Sequence, residues 1–345
     1  MKQKHVAFNK IGQFRDTIRN IKHQTYFTGL DVSGEPIYDE SKELPIITFS
    51  GTVKLHGSNG SICFSDEAEL WYQSRNRILT IGKDNNGFWQ FCHNREKSWK
   101  VLLNQVVDQV TDENKPIGIV SIFGEYCGQG INSGCAIHKL PKMFVIFAVK
   151  IVPTEGDSYY IVSNNLRDPS NQIYNISDFK TFMVDVDFNH PEIAQNKFTE
   201  LVDEVERECP VGKIFGVSGI GEGIVWTAEY NNEKHSFKTK GQLHSATKVK
   251  TIAPVDVEKI NNVNEFVKYA VTENRLDQAI SEVFEGKEPT IKQMGDFLKW
   301  MVKDIGEEEA DTLKENNLIL KDTTRAISNK ARPWFQNLLN KNAGL

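Results

Sequence analysis

The first residues that could do chemistry are those at 54–59, which read K-L-H-G-S-N. This segment lies between two apolar, β-rich runs, Pro45–Val53 and Ser61–Phe64, so we expect Lys54 on a turn between strands. A lysine there can project into a cleft, and Gly57 lets a ligand approach the backbone closely. Alone the pattern is weak, because K-x-x-G occurs seven times in the chain.

Four further polar segments follow in order, each beside β-rich sequence: S-R-N at 74–76, F-G-E-Y at 123–126, E-G-I-V at 222–225 and K-T-K at 238–240. Side chains alternate between the two faces of a strand, so these segments could direct a guanidinium, carboxylates and ammonium groups into one shared cleft. Their common order with the lysine segment is a stronger signal than any one of them.

Lys54 could serve as a nucleophile only if its pKa were lowered. A lysine with the ordinary pKa of about 10.4 is almost fully protonated at neutral pH. Lys238 and Lys240 are two residues apart and share one strand face. We therefore expect these two cations to lower the pKa of Lys54.

Other common motifs are absent from the sequence. Gly-Lys pairs are never followed by Ser or Thr, so there is no P-loop, and neither H-E-x-x-H nor G-x-S-x-G occurs. Cys127, Cys135 and His138 are close in sequence, but their spacing matches no usual zinc-ligand pair. We interpret the two cysteines as buried structural thiols.

Composition limits the class of protein. The chain has 345 residues and a net charge of −5, which excludes a uniformly basic surface but allows a local basic groove. Five cysteines, an odd count, favour an intracellular, reducing location over a disulfide framework. No run approaches the roughly 20 apolar residues of a membrane span, and no secretory signal core is evident. We expect a protein without membrane association, and a monomer by default.

The periodicity changes near residue 250, which predicts a mixed α+β protein with two domains, 1–248 and 249–345. The first is dominated by short strands, including Ile117–Phe123 and Met143–Val152, with a helix near 191–208. The second is helical, with Thr290 and Gln293 as a capping box. Its expected helices are Val263–Val271, Glu273–Phe284, an amphipathic segment ending near Ile305, and Leu318–Leu339.

The ordered segments resemble the covalent nucleotidyltransferases, in which a lysine attacks the α-phosphate of a nucleoside triphosphate. Over residues 1–248 the chain is most similar to the ATP-dependent RNA ligase 2 family of phage double-strand RNA ligases and kinetoplastid editing ligases. The specific matches are His56 and Asn59, F-N-K-I at 8–11, and V-T-E-N-R-L at 271–276. No OB-fold strand pattern follows, unlike in DNA ligases and capping enzymes.

The resemblance implies a fold and a set of roles. The fold would be an ATP-grasp-like nucleotidyltransferase domain of antiparallel sheets flanked by helices, followed by a small all-α domain. Lys54 would be the nucleophile, Lys238 and Lys240 would bind the α-phosphate, and Glu222 would hold Mg²⁺ or Mn²⁺. Glu125 would accept hydrogen bonds from the ATP ribose.

The remaining roles concern the nucleic acid and the base. Arg75 would contact both the nucleotide and the nucleic-acid end, Asn59 the incoming 5′-phosphate, and His56 would support the steps after self-adenylylation. In M-F-V-I-F-A-V at 143–149, Phe144 is the expected adenine-stacking ring. The family often has Glu before the lysine, but Val53 stands there, which puts details of adenine recognition in doubt.

These roles imply an ATP-dependent RNA ligase that seals 3′-hydroxyl and 5′-phosphate ends through lysyl-AMP and adenylylated RNA, with nicked duplex or bridged RNA as the expected substrate. The expected location is the cytoplasm, of a host cell if the protein is viral. Alternatives are a DNA ligase or capping-type nucleotidyltransferase, and a catalytically inactive scaffold that binds nucleic-acid ends. A basic C-terminal segment could contact phosphates, or could simply be a solvated helix face: Lys321, Arg325, Lys330, Arg332 and Lys341, with Trp334 and Phe335 interleaved.

Overall fold

A computed structural model describes residues 3–111, 117–244, 263–284 and 286–342 of the chain. The chain divides into two compact units, Met1–Lys238 and Thr239–Leu345. The predicted boundary at 248/249 lies outside the described residues and stays a prediction. Both units have the predicted class: strands paired mainly antiparallel and flanked by helices in the first, helices in the second.

Strands of the first unit form a two-stranded, a four-stranded and a six-stranded sheet. The strands are β1 (Phe27–Leu30), β2 (Pro36–Tyr38), β3 (Ile46–Lys54), β4 (Ser58–Ser65), β5 (Glu69–Ser74), β6 (Ile117–Cys127), β7 (Met143–Pro153), β8 (Tyr159–Ile161), β9 (Ile173–Asn175), β10 (Thr181–Asp187), β11 (Gly223–Tyr230) and β12 (Glu233–Lys240). The four-stranded sheet has the order β10-β3-β11-β12. The six-stranded sheet has the order β5-β4-β6-β7-β8, with β9 parallel to β7.

Helices cover these sheets and form the second unit. They are α1 (Phe14–Tyr26), α2 (Phe88–His93), α3 (Glu96–Thr111), α4 (Pro191–Arg207), α5 (Pro210–Ile214), α6 (Val263–Ala270), α7 (Glu273–Phe284), α8 (Met294–Glu308), α9 (Ala310–Glu315) and α10 (Leu320–Asn342). Within the described part of the chain, none of them has the length and apolar character that crossing a bilayer requires.

Each large sheet has one face packed into an aromatic or aliphatic core. On the four-stranded sheet, Phe49, Trp226 and Phe237 meet Phe14 of α1 and Phe198 of α4, with ring centroids 4.7–5.3 Å apart for the closest pairs. On the six-stranded sheet, apolar residues of β4, β6 and β7 pack under α2 and α3. The opposite face of the four-stranded sheet is therefore available for polar side chains. That of the six-stranded sheet also carries a smaller apolar cluster, which includes Trp71, Phe123 and Ala148.

The helical predictions for the second unit are confirmed, with one local exception. Residues Glu273–Phe284 are helical as predicted. Thr290 and Gln293 do not form the predicted capping box, because the Thr290 hydroxyl donates to Gln293 Oε1 at 2.8 Å and caps no backbone group. A short 3₁₀ turn, Ile291–Gln293, precedes α8 instead.

A buried arginine holds three helices of this unit together. Arg275 of α7 is 1% exposed. Its guanidinium donates at 2.9 Å to Asp304 of α8, at 2.9 Å to Glu309 and at 2.6 Å to the backbone oxygen of Ala270 on α6. The arginine in V-T-E-N-R-L is thus a structural centre, since removing it would leave two carboxylates without their cation.

We expect Arg275→Ala to destabilise the C-terminal unit by about 3 to 5 kcal/mol, the usual effect of breaking a buried ion pair. Hydrogen–deuterium exchange of α7 and α8 peptides measures this, with the exposed Lys287→Ala as the matched control. Equal protection of the two variants would contradict a structural role for Arg275.

Candidate active site

The predicted lysine segment joins the two large sheets. Lys54 is the last residue of β3, in the four-stranded sheet, and β4 of the six-stranded sheet begins at Ser58. Lys54 therefore ends a strand instead of lying on the turn, and only Leu55, His56 and Gly57 separate the two sheets. This short connection fixes where the lysine side chain can point.

Gly57 is held from both sides of its backbone. Its N–H donates to Glu125 Oε1 at 3.0 Å, and its carbonyl oxygen accepts from Asn132 Nδ2 at 2.8 Å. A Cβ at position 57 would lie 2.3 Å from the carbonyl oxygen of Tyr126, so the close approach of β6 requires glycine. Sequence analysis missed Asn132; the signal that could have found it is N-S-G in a glycine-rich loop, where its left-handed φ of 39° is tolerated.

Glu222 forms an ion pair with the Lys54 ammonium. It directly precedes β11, whose Gly223 lies opposite Lys54 in the sheet register. Glu222 Oε2 lies 2.8 Å from Lys54 Nζ and 3.3 Å from His56 Nδ1. Glu222 is 3% exposed and Lys54 22% exposed, so both charges are largely removed from water. The structure thus brings three of the predicted residues together.

This contact reverses the predicted direction of the Lys54 pKa shift. Burial alone would lower the pKa of Lys54, but the charges of Glu222 and Glu125 outweigh burial, so the pKa is raised above its ordinary value. Arg75 acts weakly in the lowering direction. The expected direction of the Lys54 pKa shift is therefore wrong, because the neighbouring carboxylates stabilise the ammonium.

Glu125 occupies the inner part of the site on β6, within the strand. It lies opposite Asn59 of β4 and Val145 of β7, so these three side chains share one face of the six-stranded sheet. Burial is the main cause that raises the pKa of Glu125 to about 7, and the negative charge of Glu222 adds to it. The charges of Lys54 and Arg75 and the Gly57 hydrogen bond oppose this shift.

Arg75 is at the rim of the site. It follows β5 directly and is exposed, and its neighbour Ser74 lies opposite Gly60 of β4. Its charge acts on both Lys54 and Glu125, which places the guanidinium within electrostatic range of both groups. An exposed cation at this position could bind an anionic ligand as it enters.

Lys238 lies on the same face of the four-stranded sheet as Lys54. The core side of β12 is marked by buried His235 and Phe237, and alternation turns Lys238 to the other side. On β3, Val53 is on the core side and Lys54 is not. Lys240, two residues beyond Lys238, shares its face of β12 and is also half-buried.

Phe144 is not placed for adenine stacking. It is fully buried on the other face of the six-stranded sheet, where its ring stacks on Phe88 of α2 at 5.4 Å and meets Trp99 of α3 at 5.6 Å. Strand alternation explains the error: Val145, one residue later, is the side chain that lies opposite Glu125.

The donor set fits a divalent cation. Glu222 and Glu125 are two carboxylates close enough that the charge of one raises the pKa of the other. Like charges at such a site favour a bound cation, and carboxylate oxygens suit Mg²⁺ or Mn²⁺. With the Lys54 ammonium and Arg75, the site offers groups for both a metal ion and the phosphates that it would neutralise.

Comparison with known proteins gives the following similarities. A family model described as RNA ligase matches residues 47–240, an interval that contains every predicted site residue. Curated protein sequences yield no match. The chain is similar to structures of Naegleria gruberi RNA ligase, one with PPi (15% identity, TM-score 0.40) and a mutant with ATP and Mn (17% identity, TM-score 0.39). These matches cover 69% of this chain but only 56% and 57% of the Naegleria chain.

Glu125→Gln tests the raised pKa of this carboxyl group. A folded-state pKa of about 7, against 4.5 without the protein environment, means that the native state binds the extra proton between these values. The free energy of unfolding should therefore fall as pH rises from 5 to 8, by up to about 3 kcal/mol. Glu125→Gln should remove this decline, as measured by urea denaturation. The exposed Glu155→Gln should retain it, and a wild-type curve flat over this range would contradict the assignment.

Glu222→Gln tests the ion pair with Lys54. Removing the negative charge should lower the pKa of Lys54 and raise its free-amine fraction about tenfold for each pKa unit. Acetylation of Lys54 by N-hydroxysuccinimide acetate, followed by peptide mass spectrometry from pH 7 to 10, measures this. Exposed Lys97 in the same sample is the internal standard. If the acetylation rate of Lys54 changed by the same factor at every pH, the substitution would have altered the access of the reagent to Lys54 and not its pKa.

Proposed function

The chain belongs to the RNA ligase family, and from this premise we propose that it is an ATP-dependent RNA ligase that joins 3′-hydroxyl and 5′-phosphate ends. The observation that supports this most directly is the 2.8 Å contact between Lys54 and Glu222, within electrostatic range of Glu125 and Arg75. A nucleophile, carboxylates and a phosphate-binding cation are what covalent nucleotidyl transfer requires.

In the first step, the deprotonated Lys54 Nζ attacks the α-phosphorus of ATP. A P–N bond forms, the bond from the α-phosphorus to the bridging oxygen breaks, and pyrophosphate leaves with that electron pair. Lys54 must first lose a proton, and the nearby carboxylates Glu222 and Glu125 are the candidate acceptors. Lys238 and Lys240, which share a face of the sheet with Lys54, would bind the phosphates.

The divalent ion would be held by Glu222, with Glu125 as a neighbouring oxygen donor. When bound, it would supply positive charge that neutralises the phosphates and competes with the Lys54 ammonium for Glu222. The residues of the chain then have separate tasks: Glu125 keeps Gly57 in place by its hydrogen bond, and Arg75 attracts the anionic ligand at the rim.

In the second step, an oxygen of the RNA 5′-phosphate attacks the AMP phosphorus, the P–N bond breaks and Lys54 regains a proton. In the third, a 3′-hydroxyl attacks the activated 5′-phosphate, loses its proton and displaces AMP. Asn59 is half-buried opposite Glu125 and could contact the incoming end. His56, 3.3 Å from Glu222, could support these later steps.

We assign nucleic-acid engagement to the C-terminal domain, 249–345, with duplex RNA as substrate. On α10 an exposed stripe follows helical spacing and could contact phosphates: Lys321, Arg325, Asn329 and Arg332. Lys330 is also exposed on this helix, and its ammonium donates at 3.1 Å to the Val267 carbonyl of α6, so it takes part in the packing of the unit. Phe335 is excluded from this task, since it is buried against Phe284 and Phe297.

Two other functions remain as alternatives. A DNA ligase or capping-type enzyme would use the same lysine chemistry, and the nucleotide in the adduct or the preferred strand would distinguish it. An inactive end-binding scaffold would be expected to lack Lys54, Glu222 or Lys238, all of which are present. An intracellular location and a monomeric state stay predictions from the sequence.

Self-adenylylation is the experiment that tests the proposed function. We expect protein freed of bound AMP to form a denaturation-resistant labelled adduct with α-labelled ATP and Mg²⁺, and not with GTP or labelled NAD⁺. Lys54→Ala should abolish the adduct, since it removes the attacking nitrogen, while the exposed Lys97→Ala should leave it unchanged. Denaturing electrophoresis measures both.

The other outcomes lead to different conclusions. Label from GTP would favour capping chemistry, and label from NAD⁺ would change the nucleotide donor. Absence of label with every donor would contradict the enzyme and favour an end-binding scaffold. A labelled protein that seals nicked DNA but not nicked RNA would favour a DNA ligase.

A further inference from the structure

A second cationic cluster lies away from Lys54, where the last strands of the two large sheets come together. β8 ends the strand order of the six-stranded sheet and β12 that of the four-stranded sheet. Tyr160 of β8 lies opposite Lys150 of β7 in the register. The ammonium groups of Lys150 and of Lys234 on β12 lie 5.5 Å and 5.6 Å from the centroid of the same Tyr160 ring.

These two ammonium groups are not neutralised by close carboxylates. Within the described residues, neither forms an ion pair within 4.0 Å, although Glu229 acts on Lys234 from a greater distance. Lys150 donates one hydrogen bond, at 3.3 Å, to the carbonyl oxygen of Ala7. Each ammonium has three donors, so donors remain for a further acceptor.

The Tyr160 ring brings two cations to one place. It attracts each ammonium by a cation–π interaction. Lys234 is exposed and Lys150 is half-buried, so a ligand can reach both side chains from solvent. Two cations at one ring without a close carboxylate make a positive surface, which favours a bound anion.

Aromatic rings surround the pair. Phe8 meets Tyr160 edge-on at 5.8 Å and Phe147 at 5.2 Å. The Tyr160 hydroxyl accepts a long hydrogen bond, 3.5 Å, from the backbone N–H of Asn9. The Tyr160 ring is thus held between the N-terminal segment and the strands, which gives the two ammonium groups that contact it a fixed partner.

We propose that Lys150 and Lys234 form a phosphate subsite for the RNA backbone, distinct from the groups around Lys54. This inference rests on the proposed ligase function. Lys234 and Lys238 share one face of β12 and are four residues apart, which corresponds to about 13 Å along the strand. A strand whose reacting end lies near Lys54 and Lys238 would pass this subsite a few nucleotides away. The subsite would therefore bind RNA without taking part in nucleotide transfer.

The experiment measures binding of a fluorescein-labelled nicked RNA duplex by anisotropy at 50, 100 and 200 mM NaCl. Loss of two phosphate contacts in Lys150→Ala/Lys234→Ala should reduce the slope of log K against log[salt] by about 1.4 to 1.8. Lys150→Arg/Lys234→Arg should restore the slope, because guanidinium groups also bind phosphate. Lys22→Ala/Lys97→Ala removes the same charge from exposed lysines on α1 and α3.

Labelling of Lys54 by ATP in the same preparations separates this proposal from the proposed function and checks that each variant is folded. The subsite is supported if the alanine pair labels normally and loses slope while the control pair does not. It is overturned, with the ligase assignment intact, if the alanine pair labels and keeps the wild-type slope, or if the control loses as much. Wild-type protein that neither labels nor binds RNA overturns both.

Discussion

The Lys54 ammonium and the Glu222 carboxylate meet at 2.8 Å where the last residue of β3 lies opposite the first residue of β11. This ion pair determines the resting state of the site. It keeps the lysine protonated and in place, and it satisfies a carboxylate that is only 3% exposed. A nucleophile held in this way becomes reactive only when another positive charge competes for Glu222. In the proposed function, a divalent ion held by Glu222 would supply such a charge.

The connection between β3 and β4 places this ion pair where the two large sheets are joined. Three residues connect β3 to β4, and a connection this short can hold its position only if its backbone is anchored. Glu125 and Asn132 supply the anchors, one on the N–H and one on the C=O of Gly57. Glu125 therefore links the two parts of the site: its charge affects Lys54, and its hydrogen bond fixes the turn that follows Lys54. A ribose hydroxyl that bound Glu125 would act on the same turn.

The helices and strands could be predicted well from the sequence, and the electrostatic environment of the site less well. Local periodicity was sufficient to predict α7 and the strands around Lys54, Glu125 and Glu222, because helices and strands each have a characteristic spacing of apolar residues. The direction of the Lys54 pKa shift depended on which charges lie nearest in space, and adjacent sequence does not contain that information. Asn132 escaped prediction for the same reason, since its partner Gly57 is 75 residues away. Thr290 and Gln293 had the residue types of a capping box, but their side chains bonded to each other.

The incorrect prediction for Phe144 shows that the two faces of the six-stranded sheet have different roles: one packs against helices and the other carries Glu125. Gly60 of β4 and Gly124 of β6 lie opposite each other, and a Cβ on either would come within 2.4 Å of a ring, that of Phe88 or Phe144 respectively. The two glycines thus let a stacked pair of phenylalanines lie directly on the sheet beneath α2 and α3. A residue used in this way cannot turn to the opposite face without a one-residue change in the register of β7, which would also move Val145 off the face that it shares with Glu125. The packing of Phe144 therefore helps to position the face that carries Glu125.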